Sequence, residues 1–348
     1  MTDVRTQAVD FYTTCPPFRP SEPAEYIRRV SQVSRWSDEA GCKGILVYTD
    51  NGLLDPWIVA QIVLQNSEQL MPLVAVQPIY MHPYTVAKMV ATLSYLFHRR
   101  ICLNMVAGGF KNDLIALHDL TPHDQRYERL VEYTTIIQRL LAGGSPVTFH
   151  GKFYSVERLA LTPAVPQEFF PRFMLSGSSE AGLAAARALD ALPMQYPEPS
   201  DKCGASAGGG GAGAGIRVGI IAREDEEQAW HIAEERFPPD RAGQVTHALA
   251  MKTSDSAWHQ NLATVGHELN GRRSTYWLVP FENYKTFCPY LVGSHAQVAE
   301  EVRRYLAAGY QTFLVDVPET EEDLEHIGIT FEHALRGLPA ANVAGASL

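Results

Sequence analysis

The sequence predicts an α/β fold in which eight strands alternate with helices. Short apolar runs rich in β-branched residues are typical of buried strands, and amphipathic segments of helical period lie between them. Such alternation favours a parallel sheet, and eight is the number of strands that closes a (β/α)8 TIM barrel. An open doubly wound sheet is the alternative. The strands are predicted near residues 8–13, 44–49, 73–77, 101–106, 172–176, 191–195, 216–222 and 312–317.

Helices are predicted near residues 24–40, 56–65, 85–97, 122–141, 180–189, 226–237 and 297–308. The fourth has the clearest start, because Thr121 suits the N-cap, Pro122 the first helical position and Asp124 the first turn. A sixth barrel helix would fall in a glycine-rich run at 204–215. Glycine disfavours a helix by about 1 kcal/mol per residue relative to alanine. We therefore expect a flexible loop at 203–215 in place of that helix.

The composition is that of an ordinary soluble enzyme, with 348 residues, 46% of them hydrophobic and 20% charged. The formal charge of −10 argues against nucleic acid or an anionic membrane as a partner. No apolar run reaches the length of a membrane span, and the first residues do not resemble a signal peptide. Five scattered cysteines without a Cys-x-x-Cys pair indicate free thiols, a cytoplasmic protein and no metal site.

One connection is much longer than a strand–helix unit needs. It joins the seventh predicted strand to the eighth and occupies residues 225–310. Long connections of this kind often act as lids over an active site. We expect an insertion or lid within a single domain that spans residues 1–348; a packed accessory subdomain is the alternative.

A candidate ligand site follows the fourth strand. That strand ends in Ala107-Gly108-Gly109, and a polar loop leads to a helix whose first turns contain His123 and Tyr127. Glycines allow the backbone to approach a planar ligand, and ligands of α/β folds bind where the strands end. The alternative is a plain strand–loop–helix unit in which the glycines only make a turn.

Two further features indicate anion binding. The segment Ser176-Gly177-Ser178-Ser179 lies between a strand and a helix, where hydroxyls and free N–H groups can bind a phosphate. It could also be an ordinary serine cap. Arg217 lies in an otherwise apolar strand, and a guanidinium there is costly unless it meets an anion. It could instead form a structural pair with a carboxylate, or lie at an exposed strand start.

Several motifs together resemble the bacterial luciferase-like flavin monooxygenases, and most of all their alkanesulfonate monooxygenase branch. Residues 100–109 follow the pattern Arg-x-x-Leu-Asn-x-Val-x-Gly-Gly, and residues 123–128 read His-Asp-Gln-Arg-Tyr-Glu. The likeness continues through 151–154, 170–180 and 291–294, and it covers roughly residues 8–335. It implies the luciferase-like TIM barrel, bound flavin mononucleotide (FMN) and a homodimer or homotetramer.

The resemblance also implies roles for individual residues. Arg217 and His123 are the expected catalytic residues: Arg217 would support oxygenation and bind anionic substrate, and His123 would order the cofactor region. Leu53, Tyr196 and Lys285 are expected to contact the substrate. The expected cofactor-binding residues, which hold the phosphate, the ring or its polar edge, are Asn104, Ala107, Gly108, Tyr127, Ser176, Gly177, Ser178 and Ser179.

The chain also departs from the alkanesulfonate branch at positions that handle anions. Gly219 replaces a histidine, Leu53 a cysteine, and Val315-Asp316-Val317-Pro318 lacks the branch's tyrosine. An arginine of the branch's mobile loop falls near Lys285. These departures leave flavin binding well supported and simple alkanesulfonate desulfonation poorly supported.

The sequence therefore predicts a two-component monooxygenase of specialised metabolism. A separate flavin reductase would supply reduced FMN, because no Gly-x-Gly-x-x-Gly nucleotide fingerprint follows an early strand. The enzyme would use O2 to oxygenate a small or carrier-bound organic substrate. The alternatives are an alkanesulfonate-type enzyme that cleaves C–S bonds, a deazaflavin-dependent hydride-transfer enzyme and a non-catalytic flavin-binding protein.

Overall fold

The computed structural model describes residues 9–202, 213–253, 257–269 and 271–336. Their contacts divide them into two compact units. The first unit comprises residues 15–38 and 43–193, and the second comprises the described residues of 9–14, 39–42 and 194–336. None of the described helices is both long enough and apolar enough to cross a membrane.

The strands alternate with helices along most of the chain. They are β1 (Asp10–Thr14), β2 (Gly44–Val47), β3 (Met71–Val76), β4 (Cys102–Val106), β5 (Val147–His150), β6 (Ser155–Leu159), β7 (Phe173–Ser176), β8 (Leu192–Gln195), β9 (Gly215–Arg223), β10 (Tyr276–Trp277), β11 (Tyr290–Ser294) and β12 (Thr312–Val315).

The helices are α1 (Pro23–Glu39), α2 (Pro56–Gln65), α3 (Pro83–Phe97), α4 (Lys111–Ala116), α5 (His123–Ala142), α6 (Glu180–Ala188), α7 (Glu226–Arg236), α8 (Arg241–Thr253), α9 (Ala257–Leu269), α10 (Val279–Glu282), α11 (His295–Ala307) and α12 (Glu321–Arg336).

The first unit is built on the parallel strands β2, β3, β4 and β7, paired in that order. Their side chains are almost all buried, as expected for a parallel sheet covered by helices. Helix α5 packs against α3 and α6 and covers the sheet with residues such as Leu130 and Ile137. Strands β5 and β6 form a separate antiparallel hairpin.

The second unit is built around β9, whose nine residues are all buried. The first part of β9 pairs in parallel with β12 and with the end of β8, and β12 also pairs with β1. The second part of β9 pairs in parallel with β11, which carries the short antiparallel β10. Trp230 and Trp277 contact each other edge to face in a core that lies beside β9 and β11.

All eight predicted strands are present, as β1, β2, β3, β4, β7, β8, β9 and β12, and every predicted helix is found close to its expected bounds. The prediction that Thr121 caps the fourth helix is wrong. Pro122 is the N-cap of α5, and the Thr121 hydroxyl donates to Asp119 instead. The described residues at 196–202 and 213–214 form no helix between β8 and β9. Residues 203–212 of the predicted glycine-rich loop lie outside the described part of the chain.

Candidate functional site

The turn between β7 and α6 contains the predicted phosphate segment in the first unit. Ser179 is the N-cap of α6, since its Oγ accepts a hydrogen bond of 3.2 Å from the N–H of Gly182. The alternative of a serine cap is therefore correct for Ser179. The Oγ of Ser178 is buried and has no hydrogen-bond partner among the residues that the structure describes. A buried hydroxyl without a partner is costly, which indicates that a ligand completes this turn.

Tyr127 of α5 lies directly against the same turn. A Cβ atom built on Gly177 would lie 2.5 Å from the Tyr127 hydroxyl oxygen, and one on Gly182 would lie 3.2 Å from it. Glycine at both positions allows the phenol to approach the backbone. Burial raises the pKa of Tyr127 above its ordinary value, although a hydrogen bond with Ser179 opposes this. The hydroxyl therefore keeps its proton at neutral pH.

Asn104 connects β4 to this turn across the sheet. It is buried in the middle of β4, and the hydroxyl of Ser176 donates to its Oδ1 over 3.0 Å. Within the described part of the chain no hydrogen bond uses the amide nitrogen of Asn104. That nitrogen is a donor that a polar ligand edge could accept from.

Gly108 follows β4 after the buried Ala107 and adopts a positive φ of 106°. A Cβ atom at Gly108 would also lie 2.9 Å from Cδ2 of Leu114 in α4. Both observations require glycine here, so its presence has a local explanation. A role in ligand approach is compatible with this requirement but is not demanded by it.

His123 is the first residue of α5 and lies beside Tyr127. Their rings meet edge to face with centroids 5.2 Å apart, and His123 Nδ1 lies 2.7 Å from Asp124 Oδ1. The first unit thus joins Asn104, Ser176, Gly177, Tyr127 and His123 by successive contacts. Half-buried Leu53 lies in the loop after β2, on the same carboxyl-terminal edge of the parallel sheet.

A buried ion pair that the sequence analysis missed anchors the start of α5. Arg129 Nη2 lies 2.6 Å from Asp119 Oδ2, and the two side chains are only 11% and 4% exposed. Burial alone would raise the pKa of Asp119, but hydrogen bonds from Arg129 and Thr121 outweigh it and lower that pKa. Arg129 lies ten residues after Asp119, and only the fold of the loop brings the two charges together.

The second unit contains Arg217 in a different polar group. Its Nη2 lies 3.3 Å from Asp316 Oδ1, and its Nη1 donates to the Tyr196 hydroxyl over 3.5 Å. Asp316 Oδ2 accepts hydrogen bonds from Thr286 and Tyr290 at 2.6 and 2.9 Å. Arg217 therefore forms a pair with a carboxylate, which was one of the alternatives that the sequence left open. In the sequence, Asp316 is notable only as part of a segment that lacks the branch's tyrosine, and no motif indicates Thr286 or Tyr290.

The other predicted substrate residues of the second unit also have partners. Tyr196 stacks on Trp258 of α9, with ring centroids 3.8 Å apart and planes 15° from parallel. Lys285 lies 2.5 Å from Asp240 in an ion pair that is partly exposed. Arg273, which lies in the long connection between β9 and β12, pairs with Glu227 and Glu234. The charges of Lys285 and Arg273 are thus balanced within this unit.

Comparison with known proteins gives consistent results. The profile of the luciferase-like monooxygenase family matches residues 9–312. A relative from Niallia circulans, 4-(gamma-L-glutamylamino)butanoyl-[BtrI acyl-carrier protein] monooxygenase BtrO, is 34% identical over 312 residues. The alignment covers 87% of this chain and 90% of that protein.

Solved structures agree on the fold. EDTA monooxygenase EmoA from Chelativorans sp. BNC1 aligns with a TM-score of 0.69 at 14% identity, over 98% of this chain and 97% of that chain. Riboflavin lyase RcaE aligns with a TM-score of 0.72 at 16% identity, over 97% and 93%. The predicted (β/α)8 TIM-barrel class is confirmed, and this chain is an oxidoreductase that belongs to the luciferase-like monooxygenase family.

Proposed function

We propose that this monooxygenase binds reduced FMN in the first unit and uses O2 to oxygenate an organic acyl group attached to a carrier protein. The observation that carries the proposal is the Ser178 hydroxyl, which is buried without a partner in the described structure. It lies beside the N-terminus of α6, where backbone N–H groups favour a phosphate. A phosphate oxygen would satisfy this hydroxyl.

The residues around the turn fit a flavin phosphate and ring. The Ser178 hydroxyl and the backbone of Ser176 and Gly177 would hold the phosphate beside the N-terminus of α6, which Ser179 caps. The Tyr127 hydroxyl would close the turn over it. The Asn104 amide would donate to the polar edge of the ring. When bound, reduced FMN supplies the two electrons that activate O2.

The protein's own contribution is to hold the side chains of this site in place and to exclude water from it. Tyr127 stays protonated and lies against the Gly177 backbone, while the His123 ring packs on the phenol and restricts its movement. The ion pair of Asp119 and Arg129 fixes the loop from which α5 begins. Fixed donors in a site that excludes water orient a ligand at little cost in reorganisation.

The partners follow from the same proposal. A separate flavin reductase would supply the reduced cofactor, since the chain has no Gly-x-Gly-x-x-Gly fingerprint after an early strand. A carrier-bound substrate is supported by the extent of similarity to BtrO, whose name specifies an acyl group on a carrier protein. A cytoplasmic homodimer or homotetramer remains part of the proposal.

The first experiment is an anaerobic titration of the full chain with reduced FMN, followed by rapid mixing with O2. We expect saturable binding and a rate of flavin oxidation that differs from that of free reduced FMN. Adding a carrier-bound acyl substrate should then couple O2 consumption to an oxygenated product. Binding of a reduced deazaflavin with hydride transfer and no O2 consumption would contradict the proposal and favour the alternative chemistry.

A pair of serine variants tests the phosphate assignment. Ser178→Ala should lower the affinity for reduced FMN by at least about tenfold, which corresponds to a loss of about 1.4 kcal/mol of binding free energy. It should barely change binding of reduced riboflavin, which lacks the phosphate. Ser179→Ala is the matched control, because it removes a helix cap and should lower stability by about 1 kcal/mol. Equal losses for FMN and riboflavin in Ser178→Ala would contradict the assignment.

A further inference from the structure

The charge of Arg217 is neutralised by the carboxylate of Asp316, which belongs to the same unit. The guanidinium and Asp316 are 7% and 8% exposed, so water screens their charges little. A buried charge requires a partner, and Asp316 supplies it from the residue directly after β12. The pair has no net charge, unlike an arginine that awaits an anionic ligand.

Asp316 is held firmly in its ionised form. Burial would raise its pKa, but the charge of Arg217, the hydroxyls of Thr286 and Tyr290 and the backbone of Val317 outweigh burial and lower the pKa. Each carboxylate oxygen therefore has protein donors, Arg217 on Oδ1 and the two hydroxyls on Oδ2. A second anion at Arg217 would compete with this fixed carboxylate and would be repelled by its charge.

Tyr196 adds a neutral donor to the same group. Its hydroxyl oxygen accepts from Arg217, while burial raises the pKa of the phenol, so that the hydroxyl keeps its own proton. The ring is fixed by its stack on Trp258. A phenol held in this way can donate a hydrogen bond to an uncharged carbonyl oxygen.

We propose that Asp316 is a specificity-determining residue, which neutralises Arg217 and restricts the site to substrates whose group at Arg217 and Tyr196 is uncharged, such as an amide or thioester carbonyl. Sulfonates and other small anions are excluded. This inference deepens the proposed function and rests on it for the identity of the reaction. The exclusion of anions, in contrast, is a property of the protein without flavin and can be measured directly.

The second unit offers a matched control. Asp323 lies 2.8 Å from Arg223 and 2.7 Å from Arg236, and it also accepts from the backbone of Glu319 and Thr320. Its side chain is 2% exposed, so it is even more deeply buried than Asp316. This carboxylate joins β9, α7 and the start of α12 and has no phenol of Tyr196 beside it. A variant without this carboxylate tests whether breaking any buried ion pair is enough to make the protein bind an anion.

The experiment measures methanesulfonate binding to flavin-free protein by calorimetric titration at constant ionic strength in chloride. Wild type should show no saturable binding. Asp316→Ala and the nearly isosteric Asp316→Asn should bind methanesulfonate saturably, at least tenfold more tightly than the weakest affinity that the titration detects. Both variants should also unfold at a higher temperature in its presence. Asp323→Ala should behave as wild type in the binding measurement.

Three results would overturn the proposal: binding of methanesulfonate by wild type, no gain in an Asp316 variant that circular dichroism shows to be folded, or an equal gain in Asp323→Ala. If both Asp316 variants unfold in chloride, recovery of the wild-type spectrum in methanesulfonate supports the proposal, and failure to recover overturns it. A wild-type protein that does not bind reduced FMN would contradict the proposed function but leave the anion result intact.

Discussion

At the scale of single residues, neighbouring side chains of one turn have different tasks. Ser179 caps α6 and needs no ligand, whereas the Ser178 hydroxyl is buried without a partner in the described structure. The sequence could place both serines between a strand and a helix. The sequence could not show which serine caps the helix and which is free to bind a ligand, because that depends on which hydroxyl faces the N–H of Gly182.

Gly177 provides a test of the contact between the turn and Tyr127. Gly177→Ala should lower the affinity for reduced FMN by at least about tenfold. The new Cβ atom would lie 2.5 Å from the Tyr127 hydroxyl oxygen and would displace the phenol or the turn. Replacing Tyr127 by phenylalanine removes that oxygen. Fluorescence titration of Gly177→Ala, Tyr127→Phe and the double variant measures the coupling.

The double variant should bind FMN better than Gly177→Ala alone, because the closest clash is gone. Losses that simply add would show that the contact does not limit the turn. Circular dichroism provides the control for folding, and riboflavin titration shows whether the effect is confined to the phosphate.

At the scale of elements, the start of α5 shows where local sequence signals fail. Thr121 and Pro122 have the residue types of an N-cap and a first helical position. The helix nevertheless begins one residue later, since Asp119 is drawn to Arg129 and binds the Thr121 hydroxyl. A long-range ion pair has overridden a local preference.

Removing this ion pair should therefore disturb both stability and flavin binding. Asp119→Ala leaves Arg129 as a buried unpaired charge and should lower the free energy of unfolding by about 3–5 kcal/mol. Reduced FMN should also bind more weakly, since α5 carries His123 and Tyr127. Urea denaturation and anaerobic titration measure the two effects.

The double variant Asp119→Leu with Arg129→Met is the control for the cause. It removes both charges and keeps apolar volume, so it should recover much of the stability lost in Asp119→Ala. A double variant that is as unstable as the single one would show that packing around Asp119, and not the unpaired charge, explains the loss.

Several of the elements that were not predicted are short or largely exposed. Strands β5 and β6 form a hairpin that is mostly exposed, so their residues do not show the apolar run of a barrel strand. Helix α4 is only six residues long, and α8 has exposed apolar residues at Val245 and Leu249. Helix α12 and strand β11, in contrast, have clear amphipathic and apolar patterns and could have been predicted.

At the scale of the whole molecule, the structure brings the candidate flavin residues together, as their motifs predicted, whereas most partners of Arg217 were not predicted. The flavin set lies in short segments of one unit, and spacing along the chain constrains such segments. The Arg217 group joins Tyr196, Thr286, Tyr290 and Asp316, which are up to 120 positions apart. Only the strand order of the second unit brings them together, so the sequence left three interpretations of Arg217 open.

The pH dependence of stability is a property of the whole molecule that specific buried groups should dominate. Burial lowers the pKa of His259 to about 3 and also lowers the pKa values of His247 and His295. These histidines are neutral when folded but gain protons in the unfolded chain below about pH 6.5. Their contribution to the free energy of unfolding is therefore complete above that pH, and it is lost as the pH falls towards the pKa values of the folded state.

The pKa values of Asp119, Asp316 and Asp323 are also lowered, and burial is opposed in each case by arginine partners. Their contribution is present above about pH 4 and is lost as the pH falls through the lowered folded values. Stability should accordingly decrease in two stages on acidification, the first from histidines and the second from aspartates.

Urea denaturation at a series of pH values, followed by tryptophan fluorescence and circular dichroism, tests the first stage. His259 packs among Trp258, Phe281 and Phe287, so His259→Phe fits an aromatic environment and removes one titrating group. Between pH 6 and 5 this variant should lose up to about 1.4 kcal/mol less stability per pH unit than wild type. His150, whose side chain is 67% exposed, supplies the control His150→Gln, which should keep the wild-type slope. An unchanged slope in His259→Phe would show that the buried histidine is not the group whose protonation unfolds the protein.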